Sequence, residues 1–433
     1  MIGPRARRGP AVYLVAAVAG CLVGLVGGGF RWCLVRAEEL RGSLLGASEQ
    51  LAGPGWLLPV LCTATGAAVA CAIAQRVPLA AGSGIQDVEA VWRHEREPQP
   101  LRLLPAKFAG GLIALGSGLV LGREGPTVHM GAAIGAEAGR RARMDPRDIT
   151  LLHTSLAGAG LAVAFTAPLG GVLFVCEEVT EVVRARLVLL TLIGTATAVG
   201  CSQLLLGDGP VFRIPALPDP QLALLPVFLL FGAATGVLGA AYNRLVVGVL
   251  AFCDRVTRVG PVARAAVIGA VVGLLLGIDP LLAGGGDQVS GRLLSGDIPL
   301  VPVLAVYLVL RFVAGPLSYA AGTPGGLFAP LLALGALWGA LVHGLALPFL
   351  PGGSSGAVPF AIAGMAAMFA ASVRAPVTGL VLTVEMTGAT SLLVPLLAAC
   401  FAATLTADRM GSVPIYDSLR LRSAKWNRPP EPS

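Results

Sequence analysis

Glu124 lies in Gly122-Arg-Glu-Gly-Pro126, a Gly/Pro break between the apolar stretches 108–121 and 126–138. A carboxylate placed that deep in an apolar chain costs at least ~2.5–3.5 kcal/mol and marks a transport path. Two further breaks have the same form: Gly82-Ser83-Gly84-Ile85-Gln86 and Gly325-Gly326-Leu327-Phe328-Ala329-Pro330. Each is expected to open a helix, with Pro126 suited to a first helical position. The first N–H groups of a helix lack internal acceptors, and the macrodipole adds roughly half a positive charge there. Several such ends aimed at one place hold an anion without a full cation, weakly enough to release it. There a Glu124 carboxylate competes with the anion for the same N–H groups. Protonation lets it leave, so one side chain can both gate anions and carry a proton. Arg123 beside it is expected to face water. A carboxylate that only caps its own helix, and glycines that only pack, are the plainer alternatives. Three breaks in one chain favour the anion site.

Other ionisable residues follow from position. Glu177 and Glu178 end the apolar run 168–176, and adjacent helical residues point about 100° apart, so only one need face the interior. Glu177 has a counterpart in Glu385, which suggests a shared structural role and leaves Glu178 as the functional one. Lys107 is the lone lysine of the apolar region, and Glu89 is its expected partner in a buried pair supporting a proton route. His129, His153 and His343 have no metal spacing and read as interior or interfacial residues. No metal or cofactor is implied. The eight scattered cysteines lie mostly in apolar runs and make no C-x-x-C pair, so neither a zinc site nor a disulfide framework is expected. Gly353-Ser354-Ser355-Gly356, with His343 as a base, fits an intramembrane serine protease pattern, yet turn chemistry alone explains that loop.

The elements that must position these residues are membrane helices. Of 433 residues 55% are hydrophobic and 13% charged, about half the charge of an ordinary soluble domain, with a mean hydropathy of +0.79. That excludes a soluble enzyme and a disordered scaffold. The net charge of +7 comes from short arginine clusters between apolar runs, at 5–8, 140–147, 184–186 and 420–428. Such clusters fit cytoplasmic loops under the positive-inside rule rather than a nucleic-acid surface. The basic N-terminus and the apolar stretch 11–29 read as a first span with a cytoplasmic start, too long for a signal peptide. Several apolar stretches fall short of the ~20 residues of a straight span, and 58 glycines and 32 prolines interrupt them. Tilted, broken helices lining a cavity are expected.

The chain also repeats itself. Gly122, Gly125 and Gly135 match Gly322, Gly325 and Gly335 at a constant offset of 200, and Ala167-Pro168, Gly171 and Glu177 match Ala375-Pro376, Gly379 and Glu385 at 208. Two repeats are expected, 11–206 and 222–407, inverted in the membrane, with a breaker-rich linker at 207–221. Residues 408–433 read as a short cytoplasmic helix bearing Tyr416, and a polar tail.

Gly82-Ser-Gly-Ile, Gly122-Arg-Glu-Gly-Pro, Gly326-Leu-Phe-Ala-Pro330 and Pro414-Ile-Tyr416-Asp-Ser-Leu resemble, in order, the signature segments of the CLC chloride channel and transporter family, across residues 82–419. The resemblance implies an all-α polytopic membrane protein with the CLC-type fold, a homodimer with one pore per subunit. It also implies a chloride ion held by the Ser83 and Tyr416 hydroxyls and the Leu327 and Phe328 amides, at a site that includes Gly84 and Ile85. Glu124 takes the family's gating position, with an outer anion site on the backbone of Arg123–Gly125. Glu178 matches the inner proton-transfer glutamate of the proton-coupled members. Exchange of chloride for protons across a bacterial inner membrane is therefore expected, both termini being cytoplasmic; the alternative is a passive voltage-gated-type chloride channel. Ser83 matches chloride-selective members rather than nitrate-preferring or fluoride-exporting ones. One departure stands out: Gln86 occupies a position where the family usually has proline, which adds an N–H and a side-chain amide near the anion.

Overall fold

A computed structural model describes residues 9–50, 53–207, 209–217, 222–349 and 356–426. The Ser354-Ser355 loop and the arginines at 5–8 lie outside these. In the first half the helices are α1 (Gly9–Gln50), α2 (Leu57–Arg76), α3 (Ile85–Trp92), α4 (Leu103–Gly116), α5 (Glu124–Arg141), α6 (Pro146–Phe165), α7 (Pro168–Phe174, continued by a π turn, Val175–Val179) and α8 (Ala185–Leu206). The second half has α9 (Leu225–Arg255), α10 (Pro261–Ile278), α11 (Asp287–Leu294), α12 (Val301–Ala320), α13 (Phe328–Ala346), α14 (Ala357–Val373), α15 (Pro376–Thr387) and α16 (Leu393–Arg409), followed by α17 (Ile415–Trp426). Among the described residues nine helices are long and apolar enough to cross a membrane, and no strand forms beyond two isolated bridges. The chain is a multi-pass, all-α membrane protein.

The two halves carry one order of elements and one set of contacts. In each, the long first helix packs on the last (α1 on α8, α9 on α16), and the central helices pair (α5 on α6, α13 on α14). Between halves, α2 meets α10 and α7 meets α15. The α7–α15 contact is reciprocal. Glu177, after α7, accepts from the Val377 and Thr378 N–H groups and the Thr378 hydroxyl at 2.6–3.1 Å, at the start of α15. Glu385, on α15, accepts from the Leu169 and Gly170 N–H groups at 3.0 and 2.7 Å, at the start of α7. Each glutamate thus satisfies orphan donors of the opposite helix, as a two-fold relation demands. Ala167-Pro168 and Ala375-Pro376 set both helix starts, with proline in the first turn where its missing N–H costs nothing.

The glycines that recur at offset 200 divide by role. Gly135 and Gly335 are packing residues: a Cβ would lie 2.4 Å from the Leu152 carbonyl oxygen of α6 in one case and 2.2 Å from the Gly364 carbonyl oxygen of α14 in the other. Without a strong hydrophobic drive between helices in lipid, such close approach supplies the packing. The result is a central layer of α5, α6, α13 and α14, in which every residue of α14 is buried.

A methyl group at Gly339, whose Cβ would lie 1.9 Å from the Phe360 carbonyl oxygen, is expected to cost about 1–3 kcal/mol or more. At exposed Gly42, mid-helix and with nothing within 4 Å, alanine should instead stabilise by about 0.5–1 kcal/mol. Thermal unfolding in detergent, followed by light scattering, checks both; equal midpoints would contradict this account of the central layer.

Candidate anion site

The three breaks are tied together by their own backbones. The Gly82 N–H donates to the Thr323 carbonyl (3.0 Å) and the Gly325 N–H to the Gly82 carbonyl (3.1 Å). Gly122 and Gly326 exchange both N–H···O bonds, at 2.7 and 2.9 Å. These bonds fix the starts of α3, α5 and α13 against one another. Two fully buried cations brace the loops. Lys107 Nζ, on α4, donates to the Ala80 and Gly82 carbonyls at 3.1 and 2.8 Å. Arg311, on α12, donates to the Leu281, Ala283 and Gly284 carbonyls at 2.7–2.9 Å. Its target is a fourth break, Gly284-Gly285-Gly286, which opens α11 as Gly82-Ser83-Gly84 opens α3. Gly84 and Gly286 both have positive φ, +91° and +110°, which glycine adopts without strain.

The expected site residues converge there. Ser83, Glu124, Leu327, Phe328 and Tyr416 are all completely buried. A Cβ on Gly125 would lie 2.4 Å from Ser83 Oγ, and one on Gly326 3.2 Å from the Gly125 nitrogen, so the three strands of backbone are in contact. Glu124 is the first residue of α5; its Oε2 accepts from the Ala329 N–H in the first turn of α13 (3.3 Å) and lies where a Cβ on Gly122 would. The carboxylate therefore holds a helix-start donor that an anion could take. The cleft beyond it, bounded by Gly122, Arg123, Glu38, Asp287 and Ala329, is about 10 Å³, room for one water at most. On the opposite side a cavity of about 450 Å³ is lined by Gly82, Gln86, Asp87, Arg96, Tyr319 and Arg422. Ser83 Oγ, Tyr416 Oη and Glu124 Oε1 are buried without a hydrogen-bond partner among the described residues. Each such atom costs about 1–3 kcal/mol if left unmet. Phe328 packs against Phe165, Phe174 and Phe369 at ring distances of 4.3–6.3 Å, a dry wall beside the hydroxyls.

Four expectations change. The Glu89–Lys107 ion pair does not form. Lys107 binds carbonyls, with Asp87 as the carboxylate in electrostatic reach. Glu89, two residues along α3 and so about 200° around it, turns to α17, where Arg420 Nε is 3.7 Å away. Arg123 does not face water: its guanidinium pairs with Asp287 (2.7 Å) and its Nε donates to the Ala164 carbonyl. Pro126 is the third residue of α5, harmless there because that N–H also lacks an intrahelical acceptor. Glu177 and Glu178 sit in a π turn rather than regular helix. Glu177 serves as the cap described above. Glu178 is half-buried and belongs electrostatically to a group with Glu89, Asp417 and Glu181. Tyr416 lies within electrostatic reach of both Glu178 and Glu124.

The histidines are interior. His129 packs on Gly84, whose Cβ would be 2.1 Å from its Nδ1; His153 bonds Gln99, and His343 meets the Phe360 ring at 5.4 Å. Sequence reasoning missed Tyr319, Arg311 and Asp287. Tyr319 Oη accepts from the Ser83 N–H (3.4 Å). Arg311 was readable as a lone cation in an apolar run, and Asp287 as the residue after a Gly-rich break.

The family model "Voltage gated chloride channel" matches residues 65–408. The H(+)/Cl(-) exchange transporter ClcA of Vibrio parahaemolyticus is 38% identical over 422 residues, 96% of this chain and 90% of that one. Its namesake in Salmonella newport is 35% identical over 426 residues, 95% and 89% of the two chains. Among solved structures, a slow cyanobacterial Cl-/H+ antiporter is 30% identical with a TM-score of 0.89, covering 99% of this chain and 100% of its own. A CLC-type fluoride/proton antiporter, 21% identical with a TM-score of 0.78 over 94% of this chain and 97% of its own, shares the fold. The chain belongs to the voltage-gated chloride channel (CLC) family. It is a membrane transport protein with the CLC-type fold of two inverted repeats, and not an enzyme.

Because the first-turn N–H groups of α3 have no acceptor within the helix, Gln86→Pro should leave its start intact, shifting stability by less than ~1 kcal/mol while changing anion selectivity. Thermal unfolding and anion-replacement flux assays check this. A large loss of stability would mean that the Gln86 amide is structural.

Proposed function

We propose that this protein exchanges chloride for protons, with Glu124 as anion gate and proton carrier and Glu178 as the inner proton-transfer site. The observation that carries this reading is the set of buried, unpartnered polar atoms on Ser83, Tyr416 and Glu124 beside the joined helix starts. They offer an anion two hydroxyls, with the Leu327 and Phe328 amides and the Gly84–Ile85 backbone around it. The Arg123–Gly125 backbone would take an anion once the Glu124 carboxylate, protonated, swings out. Protons would then pass between Glu124 and Glu178, with Tyr416 between them. The relatives' names, H(+)/Cl(-) exchange transporter and Cl-/H+ antiporter, support the same chemistry.

The setting follows from charge and surface. Arg93 pairs with Glu181, Arg420 with Glu95 and Asp417, and Arg422 with Asp254, which gathers these basic loops on one face. The positive-inside rule makes that face cytoplasmic, along with both termini, in a bacterial inner membrane. Apolar side chains on α7, α8, α15 and α16, among them Leu169, Leu189, Val377, Leu397, Phe401 and Leu405, are exposed. This suits a homodimer with one pore per subunit, the remaining apolar surface meeting lipid. In our division, repeats 11–206 and 222–407 flank a linker at 207–221, and 408–433 supplies Tyr416.

In liposomes under a chloride gradient with the voltage clamped by valinomycin, protons should move uphill against the chloride flow. Glu178→Gln should abolish this while chloride still flows, and Glu124→Ala should do the same. Chloride flow with flat pH in the unmodified protein would instead make it a passive chloride channel.

A further inference from the structure

The two halves use equivalent helix starts differently. Gly82-Ser83-Gly84 leads into α3, whose first residue is apolar Ile85, and leaves the Ser83 hydroxyl without a protein partner. Gly284-Gly285-Gly286 leads into α11, whose first residue is Asp287. Both first turns carry a carboxylate, but Asp87 is third in α3 and pairs with Arg96, whereas Asp287 is first in α11.

That carboxylate is committed to Arg123. Asp287 Oδ2 lies 2.7 Å from Arg123 Nη1, with the arginine side chain 10% and the aspartate side chain 30% exposed. Arg123 is the residue before Glu124, and Asp287, Glu38 and Gly285 line the small cleft above the Glu124 carboxylate. The other cations of this neighbourhood are occupied elsewhere. Arg31 donates to the Thr166 hydroxyl, and Arg41 to the Leu115 and Gly116 carbonyls. Arg123 is the full positive charge in sequence beside the gate, held aside by Asp287 at its Nη1 and by the Ala164 carbonyl at its Nε, with Arg31 also in electrostatic reach of the pair. A guanidinium released from Asp287 would offer a passing anion its remaining N–H donors and a unit charge.

We propose that Asp287 is a positioning residue for the Arg123–Glu124 turn. By holding the Arg123 guanidinium against α11, it keeps anion binding on the Glu124 side weak and exchange fast. This rests on the anion path proposed above, but not on its coupling to protons.

The test is chloride affinity and chloride flux, measured by calorimetry in detergent and in liposomes with chloride varied on the Glu124 side. In Asp287→Asn, nearly isosteric but uncharged, the half-saturating chloride concentration should fall about fivefold, the effect of one unit charge a few ångströms away in a hydrated setting. The maximal rate should fall with it. Asp287→Glu should restore both values. Adding Arg123→Gln to Asp287→Asn should return the affinity towards that of the unmodified protein, because the freed cation is gone. The proposal is overturned if Asp287→Asn changes neither quantity. It is equally overturned if affinity and rate drop with the melting temperature and Arg123→Gln restores nothing, the signature of a merely structural pair. Neither readout involves protons, so the result stands whether or not the protein proves to be an exchanger.

Discussion

The hydrogen bonds joining Gly82 to Thr323 and Gly325, and Gly122 to Gly326, bring the starts of three helices to one place inside the membrane domain. Unwound backbone at that depth survives only where protein or a cavity satisfies it. Here the loops satisfy one another, and the groups left over are the helix-start N–H donors, which have no acceptor of their own. An anion, or the Glu124 carboxylate, then becomes the natural complement of the fold. Side-chain bulk at Gly122, Gly125 or Gly326 would separate the loops and dissolve that complement.

Charge is used sparingly around this point. Lys107 and Arg311 are fully buried, yet both spend their donors on loop carbonyls and so brace the breaks through short bonds. Arg123, next to Glu124, is neutralised by Asp287. What is left unpaired beside Glu124 is partial charge: helix-start N–H dipoles and the Ser83 and Tyr416 hydroxyls. A transporter needs binding strong enough to strip water and weak enough to let go.

The acidic residues sort by the same logic. Glu177 and Glu385 cap each other's helices across the pseudo-two-fold relation and are fixed in place. Glu178, one residue on in the π turn, has Glu89, Asp417 and Tyr416 in electrostatic reach instead. Neighbouring carboxylates thus have unlike surroundings.

The sequence alone determined the solvent, the helical class and the repeat, and it named the buried residues that the structure gathers at the joined helix starts. Apolar length, Gly/Pro breaks and ordered motifs are local properties, and each motif carries its own backbone chemistry. It even separated Glu177 from Glu178, since the match to Glu385 is itself a mark of the repeat. The partners of charged side chains lay beyond it. Glu89 and Lys107 are near in sequence and opposite in sign, yet about 200° of helix between Asp87 and Glu89 sends Glu89 to Arg420, 331 residues away. Arg123 meets Asp287 across 164 residues, a contact no local pattern records. Which charge meets which depends on how the two halves dock, and only the tertiary structure decided that.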